Sequence, residues 1–326
     1  MTPSTVAVEG YAGRRVLLLG GTGFIGQWVA RALCASGASL TVATRNTRAA
    51  AALLARRQLT ASCAPLDVTS AGAVRQLLDD TRPQVVFNCA GYGVARDERD
   101  EATMWRLNAE WPRLLVEALA ARVADGDDWK GQRLVHVGSG AEYGSQESVL
   151  REDTIPMPTS AYGRSKLAGT QQVIAHGSQM LAVRLFNVYG PGEQDGRLLP
   201  TLLAAAHHGT SVPLSQGLQR RDFTYVEDVA EGLLRLGLEP QIQGGLVQLG
   251  SGTLRTVREF VERAGAVIGI TADRLDFGAV ATRSLETEYT GVDITRLRTI
   301  LGWSPATSIE SGVRRSIDWI AAGHTA

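Results

Sequence analysis

The chain alternates between short apolar runs and longer stretches in which apolar residues recur at helical spacing. Apolar, β-branched runs near 14–19, 39–44, 60–66, 84–89, 132–138 and 180–187 predict strands. Helical spacing near 24–36, 47–57, 70–80, 98–122 and 160–176 fills the intervals between them, with the alanine-rich stretch Ala49 to Ala55 suiting a helix. Strand–helix alternation of this kind demands right-handed crossovers and a parallel sheet covered on both faces, so the fold class is α/β, a doubly wound sheet. No internal repeat interrupts it.

The first strand–helix junction carries the strongest local signal. Val16-Leu17-Leu18-Leu19 runs into Gly20-Gly21-Thr22-Gly23-Phe24-Ile25-Gly26, and a helical pattern follows from Gln27 to Ala35. Gly20 permits a tight turn, Gly23 lets a pyrophosphate approach the backbone, and Gly26 lets the helix pack closely on the strand. The N–H groups of Phe24, Ile25 and the residues beside them, together with the helix dipole, would face the anion. This is the opening of a dinucleotide-binding unit.

Other strand ends add to the picture. After the second strand, Ala43-Thr44-Arg45-Asn46 has no acid where an NAD site usually places one for the ribose 2′-hydroxyl. Uncharged Thr44 followed by Arg45, with Arg48 in support, points to NADP(H), with NAD(H) the alternative and an ordinary surface role for Arg45 the bland one. Asp67-Val68 closes the third strand, where a carboxylate suits the adenine amino group, or else leads into the helix that follows Ser70. The fourth strand ends in Asn88-Cys89-Ala90-Gly91, whose small side chains leave space for a cofactor at the carboxyl edge of the sheet. In the next helix Pro112 lacks an N–H, so the carbonyl of Asn108 loses its intrahelical partner and is offered to water or a side chain, unless the proline marks a mere kink.

The fifth strand leads into Gly138-Ser139-Gly140-Ala141-Glu142-Tyr143-Gly144, and Tyr162-Gly163-Arg164-Ser165-Lys166 opens a helix behind the N-cap residue Ser160. Tyr162 and Lys166 are one turn apart and share a face. A neighbouring cation should lower the tyrosine pKa from about 10 towards neutrality, giving a proton donor or acceptor at physiological pH.

Composition excludes more than it identifies. With 33 basic and 33 acidic side chains the formal net charge is zero, which points to no nucleic acid and no anionic membrane surface. The three cysteines, Cys34, Cys63 and Cys89, lack metal-ligand spacing and read as small apolar residues in a reducing cytoplasm; no metal is expected. No run approaches the length of a membrane span, about 18 apolar residues or more, and residues 1–13 read as a loose tail without a signal-peptide core. His207 and His208 lack a partner carboxylate at a useful spacing and read as structural or exposed.

Together these motifs resemble the extended short-chain dehydrogenase/reductase family, in particular its nucleotide-sugar-modifying members. The resemblance continues through Arg184-Leu185-Phe186-Asn187-Val188-Tyr189-Gly190-Pro191-Gly192, Arg220-Arg221-Asp222-Phe223-Thr224-Tyr225-Val226-Glu227-Asp228-Val229 and Leu301-Gly302-Trp303-Ser304-Pro305. It implies a Rossmann-like domain over 14–190 and 223–252 and a smaller interleaved substrate-binding lobe over 191–222 and 253–326. It also implies Tyr162 as acid/base, Ser139 holding the substrate oxygen, Lys166 binding the nicotinamide ribose, and Asn108 connecting the relay to water. Asn187 and Arg221 would bind substrate, the latter gripping a diphosphate with its planar guanidinium. Arg283 matches poorly a region where relatives place another phosphate contact. The partner implied is a nucleotide-diphosphate sugar, in a homodimer formed through the helices that carry Asn108 and Tyr162.

Three reactions compete within the resemblance. Sugar 4,6-dehydratases carry acids at the positions of Gly140 and Ala141, and Glu142 is displaced by one residue; in a strand-like segment that shift turns the side chain away. An epimerase recycles a held NAD, whereas a 4-ketoreductase consumes NADPH, and the glycine-rich turn before Tyr143 resembles that of reductases acting on nucleotide-linked 4-keto-6-deoxysugars. The expectation is a C4-ketoreductase, with a 4-epimerase next and a non-catalytic NADP(H) sensor disfavoured by the intact Tyr162, Lys166 and Ser139.

Overall fold

The computed structural model describes residues 6–323 except 67, 69, 96, 123–127, 178 and 282–287. In chain order the strands are β1 (Arg15–Leu19), β2 (Ser39–Thr44), β3 (Ser62–Pro65), β4 (Val85–Asn88), β5 (Leu134–Ser139), β6 (Val149–Leu150), β7 (Met180–Leu185), β8 (Asn187–Tyr189), β9 (Val212–Leu214), β10 (Arg220–Tyr225), β11 (Leu246–Leu249), β12 (Leu254–Thr256), β13 (Leu275–Phe277) and β14 (Gly291–Val292). Seven form one sheet in the order β11-β7-β5-β4-β1-β2-β3, and every pairing in it is parallel.

The consecutive apolar residues of β1 are explained by burial on both faces. Val16 and Leu18 enter one core with α1 (Phe24–Ala35) and α8 (Val226–Leu238), while Leu17 and Leu19 enter a second with α3 (Ala71–Thr81) and α5 (Trp111–Ala120). Helix α2 (Thr47–Arg56) follows β2, capped by Asn46. From β1 the chain first builds outward to β2 and β3, then returns to build β4, β5, β7 and β11 on the other side. The crevice above Leu19 and Asn88 is therefore the topological switch point.

Three expectations need correction. The strand expected over 180–187 ends at Leu185; Phe186 turns the chain, and β8 pairs instead with Phe223–Tyr225 in a separate sheet of order β12-β10-β8. The helix expected over 98–122 is α4 (Glu101–Trp105), a π turn at Arg106–Glu110 and then α5, with Pro112 just inside the last segment. The wider turn accommodates a position where proline offers no N–H. The expected loose tail does not hold for Val8 to Tyr11: the Val8 N–H donates to Ser36 Oγ at 2.9 Å, and the buried Tyr11 hydroxyl donates to the Leu234 carbonyl at 2.7 Å.

Beyond the large sheet, α6 (Ala161–Ile174) lies against the π turn and α5. The remaining helices are α7 (Leu198–His208), α9 (Val257–Ile268), α10 (Thr295–Leu301) and α11 (Ile309–Ala321); α9 packs on both α7 and α11. The segment 223–252 supplies α8 to one face of the large sheet and β11 to its edge.

Candidate functional site

The glycine turn is shaped as the spacing requires. Gly20 has φ +74°, and a Cβ there would lie 2.6 Å from the Ala90 nitrogen, so this turn touches the end of β4 directly. A Cβ on Gly26 would lie 2.0 Å from the Gly20 carbonyl oxygen, which fixes how closely α1 sits on the turn. Gly23 precedes α1 in an extended conformation, and the first turn of α1 contains no acid. The N–H groups there have no intrahelical acceptor, and Phe24 and Ile25 are half-buried beside them. This cradle fits a pyrophosphate on geometry and on field. Cys89 and Ala90 form the facing wall, where enclosure pushes the Cys89 thiol up to about 12.

At the end of β2, Asn46 is committed to α2, accepting the Ala49 N–H at 3.0 Å. Arg45 and Arg48 are exposed, and no carboxylate stands among Thr44 to Arg48. Asp67 and Arg283 lie outside the described residues, and Val68 is half-buried.

Ser160 caps α6 by accepting the Gly163 N–H at 3.0 Å, which places Tyr162 in the first turn and Lys166 one turn deeper. The environment of the pair differs from the expectation. Burial pushes the Tyr162 phenol up to about 12, opposed first by the neighbouring Ser139 hydroxyl and then by Arg197. Lys166 Nζ instead donates to the Val137 carbonyl at 2.5 Å, and its own burial draws it below the usual lysine range. In this state the phenol is a neutral proton donor.

Asn108 is fully buried and its amide is fully employed: Oδ1 accepts the Tyr92 N–H at 3.0 Å, and Nδ2 donates to the Tyr92 carbonyl at 2.8 Å and to Ser165 Oγ at 3.0 Å. The Asn108 carbonyl, expected to be offered to water or a side chain, lies close to α6: a Cβ on Gly169 would lie 2.0 Å from it. Asn108 thus ties the loop after β4 to the helix of Tyr162 and Lys166.

Three side chains around the site carry little signal in the sequence. Glu98 Oε2 accepts the N–H groups of Gly93, Val94 and Ala95 at 2.8, 2.9 and 3.1 Å, and a Cβ on Gly93 would lie 2.9 Å from the Tyr162 ring. Arg197, paired with the buried Glu193 at 3.3 Å, favours the Tyr162 phenolate. Glu142 turns inward and pairs with Arg184 at 2.7 Å. The segment Gly140–Glu142 is a 3-10 turn rather than a strand, so the reason for Glu142's absence from the crevice is this turn and its buried partner.

On the remaining side, Asn187 is half-buried beside Phe186, whose ring lies 6.1 Å from that of Tyr289. Arg221 is half-buried, donates to the Arg220 carbonyl at 2.6 Å, and stabilises the phenolate form of Tyr289. His207 and His208 are exposed at the end of α7.

A parallel sheet with a glycine turn at its switch point, and a Ser–Tyr–Lys set beside it, defines a dinucleotide-binding oxidoreductase architecture. Residues 16–250 match the NAD dependent epimerase/dehydratase family, and the chain belongs to it. It is similar to dTDP-6-deoxy-L-talose 4-dehydrogenase (NAD(P)(+)) of Kitasatospora kifunensis, 30% identical over 92% of this chain and 93% of that protein. It also resembles a probable dTDP-4,6-dihydroxy-2-methyloxan-3-one 4-ketoreductase of Streptomyces antibioticus, 34% identical over 58% of this chain and 61% of that protein. Among solved structures, MoeE5 in complex with UDP-glucose and NAD superposes with a TM-score of 0.78 at 26% identity, covering 94% of this chain and 99% of that one. No helix among the described residues is long and apolar enough to cross a membrane.

Proposed function

We propose that the protein reduces the C4 ketone of a nucleotide-linked 4-keto-6-deoxyhexose with NADPH. The observation that carries this reading is that the site has one proton donor beside one hydroxyl holder, Tyr162 and Ser139, while Phe186 closes off the neighbouring position at Gly140 where a dehydratase would need an acid. Two relatives named for chemistry at C4 of deoxysugars, a 4-dehydrogenase and a 4-ketoreductase, support the same reaction class.

In this reading the N–H groups around Gly20 to Gly26 bind the pyrophosphate, Cys89 and Ala90 line the ring pocket, Arg45 meets the 2′-phosphate, and Lys166 holds the nicotinamide ribose. Bound NADPH supplies the hydride to C4. Ser139 donates a hydrogen bond to the ketone oxygen and Tyr162 delivers the proton to it, which its neutral phenol form permits at physiological pH. Asn108 fixes α6 against the loop after β4, and Asn187 and Arg221 bind the nucleotide diphosphate. Two copies would pair through the helices carrying Asn108 and Tyr162, where Trp105 is 41% exposed.

The second reading, an NAD-dependent 4-epimerase, uses the same Tyr162 and Lys166 but ends each cycle with its cofactor unchanged. The exposed Arg45 after Thr44, with no acid among residues 44–48, favours the reductase. Supplied with a nucleotide-linked 4-keto-6-deoxyhexose, the protein should consume NADPH and form a 4-hydroxyl product in equal amounts. Efficient C4 inversion of a nucleotide hexose with no added cofactor would overturn the reductase and leave the epimerase.

A further inference from the structure

Glu142 is completely buried, yet the chemistry above makes no use of it. Its carboxylate gathers three elements behind the Tyr162–Lys166 pair. Oε1 accepts the Ser139 N–H at 2.8 Å and the Thr170 hydroxyl of α6 at 2.9 Å, while Oε2 accepts from Arg184 Nε of β7 at 2.7 Å. The guanidinium of Arg184 in turn lies over the Tyr143 ring, 4.2 Å from its centroid. Glu142 and Lys166 grip β5 on either side of one residue: Lys166 Nζ takes the Val137 carbonyl, Glu142 takes the Ser139 N–H, and Gly138 lies between. A Cβ on Gly138 would stand 2.8 Å from Glu142 Oε1, so glycine here leaves room for the carboxylate where it lies. Enclosed from water, a unit charge acts strongly on its neighbours.

We propose that Glu142 is a positioning residue of the site, whose carboxylate, balanced on its far side by Arg184, fixes the Ser139 backbone from behind and keeps Lys166 an ammonium ion. The inference rests on the reading of Lys166 as the cation that holds the cofactor. Burial pulls Lys166 towards the neutral amine, and Glu142 is the first group that opposes it. Other titratable groups around Lys166, among the described residues, include Cys89 at the end of β4, His136 on β5 and Tyr162 on the same helix. The Cys89 thiol and Tyr162 phenol are each pushed up to about 12, and burial followed by Lys166 keeps the His136 ring neutral. Of these neighbours, Glu142 is the one held in an ion pair, with Arg184, and the first to favour the charged form of Lys166. Removing the Glu142 charge should lower the pH at which the ammonium is lost.

The test is NADPH binding, read by fluorescence from about pH 7 to 10.5, the range over which an ordinary or lowered lysine titrates. It compares the wild type with Lys166→Met, Glu142→Gln and the double variant Glu142→Gln/Arg184→Met. Glu142→Gln alone orphans a buried guanidinium and endangers folding; the double variant removes that cation and keeps the shape, which a thermal melt verifies. Wild-type binding should weaken at alkaline pH, and Lys166→Met should bind weakly without that dependence. Both Glu142 variants should lose binding at least about one pH unit below the wild type, the scale set by an adjacent opposite charge. A folded double variant with the wild-type alkaline midpoint overturns the proposal. Wild-type binding with no alkaline loss that Lys166→Met abolishes would overturn the assignment of Lys166 itself, and the proposal with it.

Discussion

The ring of Phe186 covers Gly140: a Cβ built on that glycine would lie 2.7 Å from Phe186 Cδ1 and 2.9 Å from Cε1. The place where an acid would serve an elimination is thus closed by an aromatic ring. Gly140→Asp should destabilise the protein by about 1–3 kcal/mol through overpacking, and Phe186→Ala in the same chain should relieve most of that loss. Denaturant unfolding of both single variants and the double variant measures the coupling; strictly additive effects would show that the ring does not guard this position.

Arg45 should select the cofactor. Substitution by alanine should weaken NADPH binding by roughly 1.5–3 kcal/mol, the scale of a hydrogen bond to a charged group, and change NADH binding little. Binding titrations with both cofactors decide it, and equal losses would remove Arg45 from the 2′-phosphate.

Tyr162 should carry the proton. Tyr162→Phe should lower kcat by about 10²–10⁴-fold with cofactor affinity nearly unchanged, whereas Lys166→Met should damage both. Retention of most of the wild-type kcat by Tyr162→Phe would refute the mechanism.

Glu193 should give stability an unusual dependence on pH. Its carboxyl is buried, with burial opposed first by Arg197, and is pushed up to about 7; Oε2 has no hydrogen-bond partner among the described residues. Below the ordinary carboxylate range it is protonated in both folded and unfolded chains, so its contribution is fully present there. As pH rises to 7 the unfolded chain ionises first, and that contribution is lost. Glu193→Gln lacks this titration, so its stability relative to the wild type should grow by on the order of 3 kcal/mol between about pH 4.5 and 8. A stability difference independent of pH would contradict the assignment.

The large sheet was legible because Val16 to Leu19 and their counterparts are buried on both faces, and continuous apolar runs register that directly. The glycine turn was legible for a similar reason: Gly20 and Gly26 are constrained by close backbone neighbours. What escaped depends on partners distant in sequence. Nothing near Glu142 announces Thr170 or Arg184, and nothing near Tyr11 announces Leu234. The raised Tyr162 phenol escaped because spacing along a helix places Lys166 nearby but does not say that its ammonium is engaged by Val137. The break at Phe186 escaped because Asn187 to Tyr189 remains strand-like while changing sheets.

The buried carboxylate of Glu142 also says when the site comes into being. Its partners arrive from the end of β5, from α6 and from β7, so no partly opened form that detaches one of them retains the arrangement. The Ser139 amide should therefore exchange its hydrogen with solvent only through the largest cooperative opening of the sheet, as slowly as the central residues of β5. The proposed proton chemistry is then a property of the completely assembled molecule, and a chain that has opened in this region has already lost it.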